Sequence, residues 1–98
     1  YTLVVAVAEN GQIAGMCDLI EVNLFLGKTG VIDEVVVGPE FQKQGIGTML
    51  LEKAIEIAKE KGMRHIKLDT NADNPANRLY EKAGFIRKED NVYKLYLL

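Results

Sequence analysis

Apolar and β-branched residues fill two runs in the first quarter of the chain, residues 2–8 and 13–24. Both runs have the composition of β-strands, and Asn10-Gly11 between them is a strong hairpin signal. The pattern therefore predicts two strands that pair antiparallel.

A third apolar run, residues 31–37, follows a predicted turn at residues 27–30 and is stopped by Gly38-Pro39. From Ile46 onward, apolar residues recur at helical spacing, and charged residues lie on the opposite face. We expect an amphipathic helix that ends at Gly62, because a glycine can take the left-handed conformation that closes a helix. Its apolar positions are Leu50, Leu51, Ala54, Ile55 and Ala58.

Residues 64–70 alternate apolar and polar side chains, which predicts a strand and, with the helix, a right-handed parallel crossover. A short helix is predicted with Asn74 as N-cap and Pro75 at its first position, ending at Gly84. The last runs, residues 85–88 and 92–97, predict a closing hairpin. The order β-β-β-α-β-α-β-β indicates one α/β (α+β) domain over residues 1–98, with a mixed, mostly antiparallel sheet.

Composition narrows the class of protein. A chain of 98 residues with 48% hydrophobic and 27% charged residues is typical of one globular domain. Its net charge of -2, with basic residues scattered among acids, argues against a nucleic-acid partner. No apolar run reaches the roughly 20 residues of a membrane span, and no leader pattern precedes the first strand, so we expect a soluble, cytoplasmic protein without a membrane partner.

The single cysteine and the single histidine argue against a disulfide and against a metal site. Cys17 is the single cysteine, so an internal disulfide is excluded. His65 is the single histidine and has no cysteine or carboxylate at metal-ligand spacing, so no metal cofactor is expected.

The sequence Q-K-Q-G-I-G, residues 42–47, connects the third predicted strand to the long helix. Glycines let the backbone approach a ligand, and the first N–H groups of a helix have no partner within it. We therefore predict a phosphate cradle here. The dinucleotide pattern G-x-G-x-x-G fails at Leu50, and the lysine-containing phosphate loop is absent.

What remains, Q-x-x-G-x-G after V-V-V-G-P-E-F, resembles the acyl-CoA pyrophosphate loop of the GNAT N-acetyltransferases. A second segment, N-P-A-N-R-L-Y-E-K-A-G-F at residues 74–85, is similar to that family's N-x-x-x-x-x-Y-E-K-x-G-F motif. The resemblance implies the GNAT fold and an acyltransferase that uses acetyl-CoA as cosubstrate. It further implies transfer of acetyl to a primary amine by direct attack in a ternary complex.

The same resemblance implies a set of CoA-binding residues. Backbone groups of the glycine loop would bind the pyrophosphate, with charge from Lys43, and the edge of the third strand would pair with pantetheine and supply an oxyanion donor. Asparagines of the second motif would contact CoA, although Asn74 as a plain N-cap would look the same in sequence. The implied residues are Val35, Val36, Val37, Gln42, Lys43, Gln44, Gly45, Ile46, Gly47, Thr48, Asn74, Asn77 and Tyr80.

Acetyl transfer to an amine also needs an acid and a base. An alkyl amine with a pKa of about 10.4 must lose a proton, and a thiolate with a pKa of about 8.5 gains one on leaving. The resemblance assigns the acid to Tyr80; the alternative is an aromatic residue that packs a helix into the core.

For the base, the candidates are Asp33 and Glu34. Consecutive strand residues project to opposite faces unless a bulge intervenes, so only one of them should face the cleft. Asp33, acting through a bridging water, is our first choice, and two solvated carboxylates without a role are the alternative. With Glu21 they would make the acceptor side mildly acidic, which favours a cationic small amine or a basic peptide terminus.

The resemblance is incomplete at the N-terminal end, because the family's first strand and two following helices have no counterpart. Three interpretations stay open: a fragment, an acceptor wall supplied by a second copy or a complementing N-terminal segment, and a minimal family member. A non-catalytic CoA-binding or regulatory module is the rival function. A nucleotide-binding domain that holds ATP in the same loop is a third, although it lacks a magnesium-ligand motif.

Overall fold

The computed structural model describes residues 1–70, 73–87, 95 and 97. These residues form five strands, a 3-10 turn at Pro39–Phe41 and two α-helices. In chain order the elements are β1 (Thr2–Val7), β2 (Ile13–Leu24), β3 (Gly27–Ile32), β4 (Val35–Val37), α1 (Ile46–Glu60), β5 (Ile66–Leu68) and α2 (Asn77–Lys82).

The long strand β2 organises the sheet. It pairs antiparallel with β1 along one edge, while its other edge pairs with β4 near its start and with β3 near its end. Strand β3 then pairs in parallel with β5, with Gly30 opposite Ile66. The mixed, mostly antiparallel sheet and the parallel pairing across α1 are confirmed.

Helix α1 covers one face of this sheet and encloses the core between them. Its apolar stripe faces β1, β2 and β4, and Gly62, with φ of 75°, follows the helix end as predicted. The buried core consists of Cys17, Leu19, Ile32, Leu50, Leu51, Ala54, Ala58 and Tyr80.

The face of the sheet away from α1 is apolar and open. Burial alternates along β1, so Val4 and Ala6 pack toward the core while the side chain of Val5 remains 39% exposed. Met16 lies opposite Val5, and Val36 lies opposite Met16, and both are exposed. The second copy or complementing N-terminal segment named above as a possible acceptor wall stays a prediction.

Two predictions around the third strand are wrong. Residues 31–37 are not one strand, because β3 ends at Ile32 and β4 begins at Val35. Residues 27–30 are not a turn: they belong to β3, and the turn lies at residues 25–26. Glycine at position 30 serves packing, since a Cβ there would lie 2.8 Å from the sulfur of Met63.

The segment after α1 also differs in detail. The predicted strand over residues 64–70 is shorter, and α2 begins at Asn77 with Ala76 as N-cap, so Asn74 is not the cap. Instead, Asn74 Oδ1 accepts the N–H of Ala76 at 2.9 Å and closes a turn just before the helix. Gly84, with φ of 104°, follows the helix end as predicted. The closing hairpin lies largely on residues outside the described part.

Candidate functional site

The glycine loop adopts left-handed backbone at two of its positions. Lys43 has φ of 63° and Gly45 has φ of 78°, and α1 begins directly after them. Such alternation turns successive N–H groups toward one side, which is the geometry of anion-binding backbone concavities. No side chain caps the start of α1, so its first N–H groups are available to a ligand. For Lys43 the left-handed conformation costs about 1–2 kcal/mol, a strain typical of functional segments.

The two glycines of the loop have different roles. A Cβ on Gly45 would meet no atom of the described residues within 4 Å, so glycine is needed here for its positive φ rather than for space. A Cβ on Gly47 would lie 2.9 Å from Cδ2 of Leu79, so this glycine first of all lets α1 pack against α2. A cavity of about 280 Å³ adjoins the loop, and its lining residues are Val37, Phe41, Gln42, Lys43, Gly45, Ile46, Gly47, Thr48 and Leu79.

A second cavity, of about 390 Å³, opens where the sheet divides. Strands β3 and β5 pair as far as Ile32 and Leu68, and beyond them β4 turns to pair with β2. We call this cavity the cleft. Its lining residues are Asp33, Glu34, Val35, Val36, Leu68, Asp69, Thr70, Asn74 and Tyr80.

A β-bulge separates β3 from β4. Val31 lies opposite Ile20, and Val35 lies opposite Cys17, so three residues on one strand face only two on β2. The extra residue is accommodated at Asp33 and Glu34, and both of them line the cleft. Both residues line the cleft, whereas the alternation of a regular strand would place only one of them there.

A residue that sequence reasoning missed holds this bulge. Oδ1 of Asp18 accepts hydrogen bonds from the N–H groups of Asp33 and Glu34, both at 2.9 Å. The only signal in the sequence was a carboxylate between the apolar residues Cys17 and Leu19, and nothing local linked it to residues 15 and 16 positions later.

One edge of β4 has no strand partner among the described residues. Asp18 N–H donates to Glu34 O, and Gly38 N–H donates to Ala14 O, so alternate residues direct their backbone groups to β2. The backbone groups of Val35 and Val37 consequently face the free edge. Val35 lines the cleft and Val37 lines the loop cavity, so this edge connects the two cavities.

Tyr80 reaches the cleft from the core. Its side chain is 8% exposed, and its ring meets Phe85 edge to face with centroids 6.2 Å apart. Burial, and then the neighbouring Cys17, raises the pKa of the phenol, which therefore stays protonated and able to donate at neutral pH. The two sequence interpretations of Tyr80 are compatible, because it both packs the core and lines the cleft.

Cys17 lies in the same core. Burial, and then the charge of Asp18, raises the pKa of its thiol to about 11. The thiol thus stays protonated at neutral pH and is a poor nucleophile.

Of the remaining predicted site residues, one lines the cleft and the others lie outside the lining of both cavities. Asn74 lines the cleft and donates from Nδ2 to Thr70 Oγ1 at 2.9 Å, whereas Asn77 lines neither cavity. Gln44 also lies outside the lining of the loop cavity. Glu21 pairs with Lys28 at 3.0 Å, a contact that lowers its pKa, and it does not line the cleft.

In the part of the chain that the structure describes, no group of acidic, histidine and cysteine side chains could hold a metal ion.

Comparison with known proteins decides the family. The model of the acetyltransferase (GNAT) family matches residues 1–85. This chain belongs to the GNAT acetyltransferase family. The resemblance carried by the two motifs is thus confirmed.

Individual relatives agree with the assignment to the GNAT family. The chain is 39% identical over 80 residues to an uncharacterized N-acetyltransferase of Methanocaldococcus jannaschii, covering 81% of this chain and 35% of that protein. It is 36% identical over 92 residues to the ribosomal protein bS18-alanine N-acetyltransferase of Haemophilus influenzae, covering 90% of this chain and 56% of that one.

A solved structure matches the GNAT fold. Glucosamine-6-phosphate N-acetyltransferase from Arabidopsis thaliana superposes with a TM-score of 0.84 at 28% identity, over 96% of this chain and 65% of that chain. The sequence thus spans 35% and 56% of the lengths of the two curated relatives above.

Within the described residues, no helix has the length and apolar character to cross a bilayer.

Proposed function

We propose that this GNAT domain binds acetyl-CoA along the free edge of β4 and transfers its acetyl group to a primary amine. The observation that carries the proposal is the free edge of β4, which has Val37 in the cavity at the glycine loop and Val35 in the cleft beside Tyr80, Asp33 and Glu34. We call this edge and the two cavities the groove. In this arrangement the loop N–H groups bind the pyrophosphate, and the backbone of Val35 and Val37 pairs with the pantetheine arm.

Each step of a direct transfer has a residue in the cleft. Asp33 is our first candidate for the base that takes a proton from the incoming ammonium through a water, and Glu34 is the second. The N–H of Val35 donates to the oxygen on which negative charge develops during attack. Tyr80 donates its proton to the sulfur as the carbon–sulfur bond breaks, and it regains a proton from the nitrogen, which loses its second proton as the amide forms. Acetyl-CoA itself supplies the activated thioester.

The charge of the cleft indicates the class of acceptor. Asp33, Glu34 and Asp69 line it, and among the residues that the structure describes no lysine or arginine does. A negative cleft concentrates cations, which favours a cationic small amine or a basic peptide terminus. The names of the two similar proteins, which specify an alanine of a ribosomal protein and glucosamine 6-phosphate, support an amine as acceptor.

Release of free thiol from acetyl-CoA, measured with a panel of amines, tests the proposal. We expect CoA to bind in calorimetric titration and thiol to appear with cationic amines, more slowly with glucosamine 6-phosphate. Binding without thiol release from any amine would support the non-catalytic CoA-binding module. Displacement of CoA by equimolar ATP would support the nucleotide-binding alternative, and absence of CoA binding would overturn the proposal.

A further inference from the structure

The bulge at the cleft depends on one side chain of the neighbouring strand. Asp18 Oδ1 accepts both bulge N–H groups at 2.9 Å, and the N–H of Asp18 returns a bond to Glu34 O at 3.3 Å. Hydrogen bonds from N–H groups to a charged oxygen are about twice as strong as neutral ones. A single carboxylate therefore determines where the two bulge residues lie.

The main contribution of these hydrogen bonds is to fix the position of the two bulge residues. Asp33 and Glu34 are exposed, so water could satisfy their N–H groups if the carboxylate were absent. Water would not, however, oppose a slip of the chain between β3 and β4, and a slip of one residue reverses which side chains face each side of a sheet. The carboxylate of Asp18 favours one register among the alternatives.

That register orients the groups assigned to catalysis. It directs the backbone of Val35 toward the free edge and leaves both carboxylates of the bulge at the cleft. Asp18 is not among the residues that line the cleft, so it acts through the residues it holds.

We propose that Asp18 is a positioning residue for the transfer reaction, which fixes the β3–β4 bulge and thereby orients the Val35 N–H and the bulge carboxylates. This inference rests on the proposed function. A misplacement of about 1 Å between reacting groups can cost about 10²-fold in rate, so loss of the carboxylate should lower kcat by about 10- to 100-fold.

Three variants separate position from charge. Asp18→Ala removes the acceptor. Asp18→Asn keeps an oxygen that can accept both N–H groups but removes the charge. Glu21→Ala is the matched control, because it removes a carboxylate from the same strand at a residue that pairs with Lys28 outside the cleft.

Two readouts are needed, one of which does not depend on turnover. We expect Asp18→Ala to lower kcat by a larger factor than it raises the Kd of CoA, because the glycine loop that binds the pyrophosphate is a separate segment and only the Val35 part of the pantetheine contact is disturbed. Asp18→Asn should recover most of both losses. Amide hydrogen exchange at Asp33 and Glu34 should accelerate in Asp18→Ala and remain slow in Asp18→Asn and Glu21→Ala.

Several outcomes would overturn the inference. Wild-type kcat in Asp18→Ala would do so, as would an Asp18→Asn variant as slow as Asp18→Ala, since charge rather than position would then be required. If the wild-type protein acetylates no amine, the proposed function fails, but the exchange rates still decide whether Asp18 holds the bulge. If Asp18→Ala does not fold, Asp18→Ser, whose hydroxyl stops short of both N–H groups, replaces it under the same criteria.

Discussion

The two ends of the groove are built in different ways. The loop end consists of consecutive residues, 42–48, whose proposed ligand-binding groups are backbone N–H groups oriented by the positive φ of Lys43 and Gly45. The cleft end is assembled from β2, the β3–β4 bulge, the end of β5 and α2. The proposed binding of phosphate thus depends on local conformation, whereas the proposed catalytic groups depend on contacts between distant segments.

This difference predicts how each end responds to substitution. A change at the loop should alter CoA affinity and leave the chemistry of bound substrate unchanged. A change at the cleft should alter the rate and leave affinity unchanged. The following experiments test whether the two ends are separable in this way.

The largest effect is expected from Tyr80→Phe, which keeps the buried ring and removes the proposed proton donor. General acid catalysis contributes about 10²- to 10⁴-fold, so kcat should fall within that range while the Kd of CoA and the melting temperature change little. Steady-state thiol release and calorimetry give the three quantities, with the exposed Tyr1→Phe as control. Full turnover in Tyr80→Phe would leave Tyr80 with a packing role alone.

At the loop end, Gly45→Ala should act on affinity. Its Cβ meets no neighbour, but alanine at φ of 78° is strained by about 1–2 kcal/mol, and relaxation of the loop would turn the N–H groups away. We expect the Kd of CoA to rise about tenfold, since 1.4 kcal/mol corresponds to that factor, with kcat at saturation nearly unchanged.

Gly47→Ala is the informative comparison at the same loop. Its Cβ would press on Leu79, so the variant should melt earlier, and Leu79→Ala in the same chain should restore part of the loss. Equal loss of affinity in both glycine variants without any change in melting would contradict the separate roles assigned to them.

Beneath the cleft end, Cys17 makes stability depend on alkaline pH. The folded protein holds this thiol protonated up to a pKa of about 11, against an ordinary value of 9.0. Below pH 9 the stabilisation is fully present, and it is lost as the pH rises from 9 to 11, because the unfolded chain ionises first. The decline over this range should be about 1–3 kcal/mol. Urea unfolding at several pH values should show a steeper decline in wild type than in Cys17→Ala.

The smallest effect is expected from the charge of the loop. Lys43→Ala removes a cation that lies on the surface, where such interactions contribute about 1 kcal/mol or less, so the Kd of CoA should rise only a few-fold, and less at high salt. Lys43→Gly separates charge from conformation, because glycine accepts the φ of 63° without strain. A larger loss of CoA affinity in Lys43→Ala than in Gly45→Ala would show that charge and not backbone geometry holds the pyrophosphate.

The features that the sequence predicted correctly are local, like the loop end of the groove, and the feature that it missed depends on a contact between distant segments, like the cleft end. Helix α1, its terminal glycine, the first hairpin and the glycine loop depend on neighbours in the chain, and all of them lie where the pattern indicated. The division of residues 31–37 into two strands depends on Asp18, a contact across 15 residues that no local pattern contains. For the same reason the sequence suggested one acidic residue at the cleft, while Asp33 and Glu34 both line it.

Asn74 and Gly30 show a second limit. Each residue type suits more than one use: asparagine can cap a helix or close the turn before it, and glycine can form a turn or make room for a neighbour. Packing decides which use the residue has, as where Met63 packs against Gly30. A single sequence does not show such packing.

The bulge also determines what this part of the chain can tolerate. Ile32, Val35 and Val37 all turn toward the core, although the number of residues between the first two would place them on opposite sides of a regular strand. The extra residue corrects this alternation. Loss of one residue between Ile32 and Val35 would leave a regular alternation in which Val35 and Val37 still face the core, but the bulge would disappear. A one-residue deletion at position 33 or 34 would therefore keep the fold and change the cleft, whereas a substitution there changes only a side chain; at this point the chain encodes its site through its length.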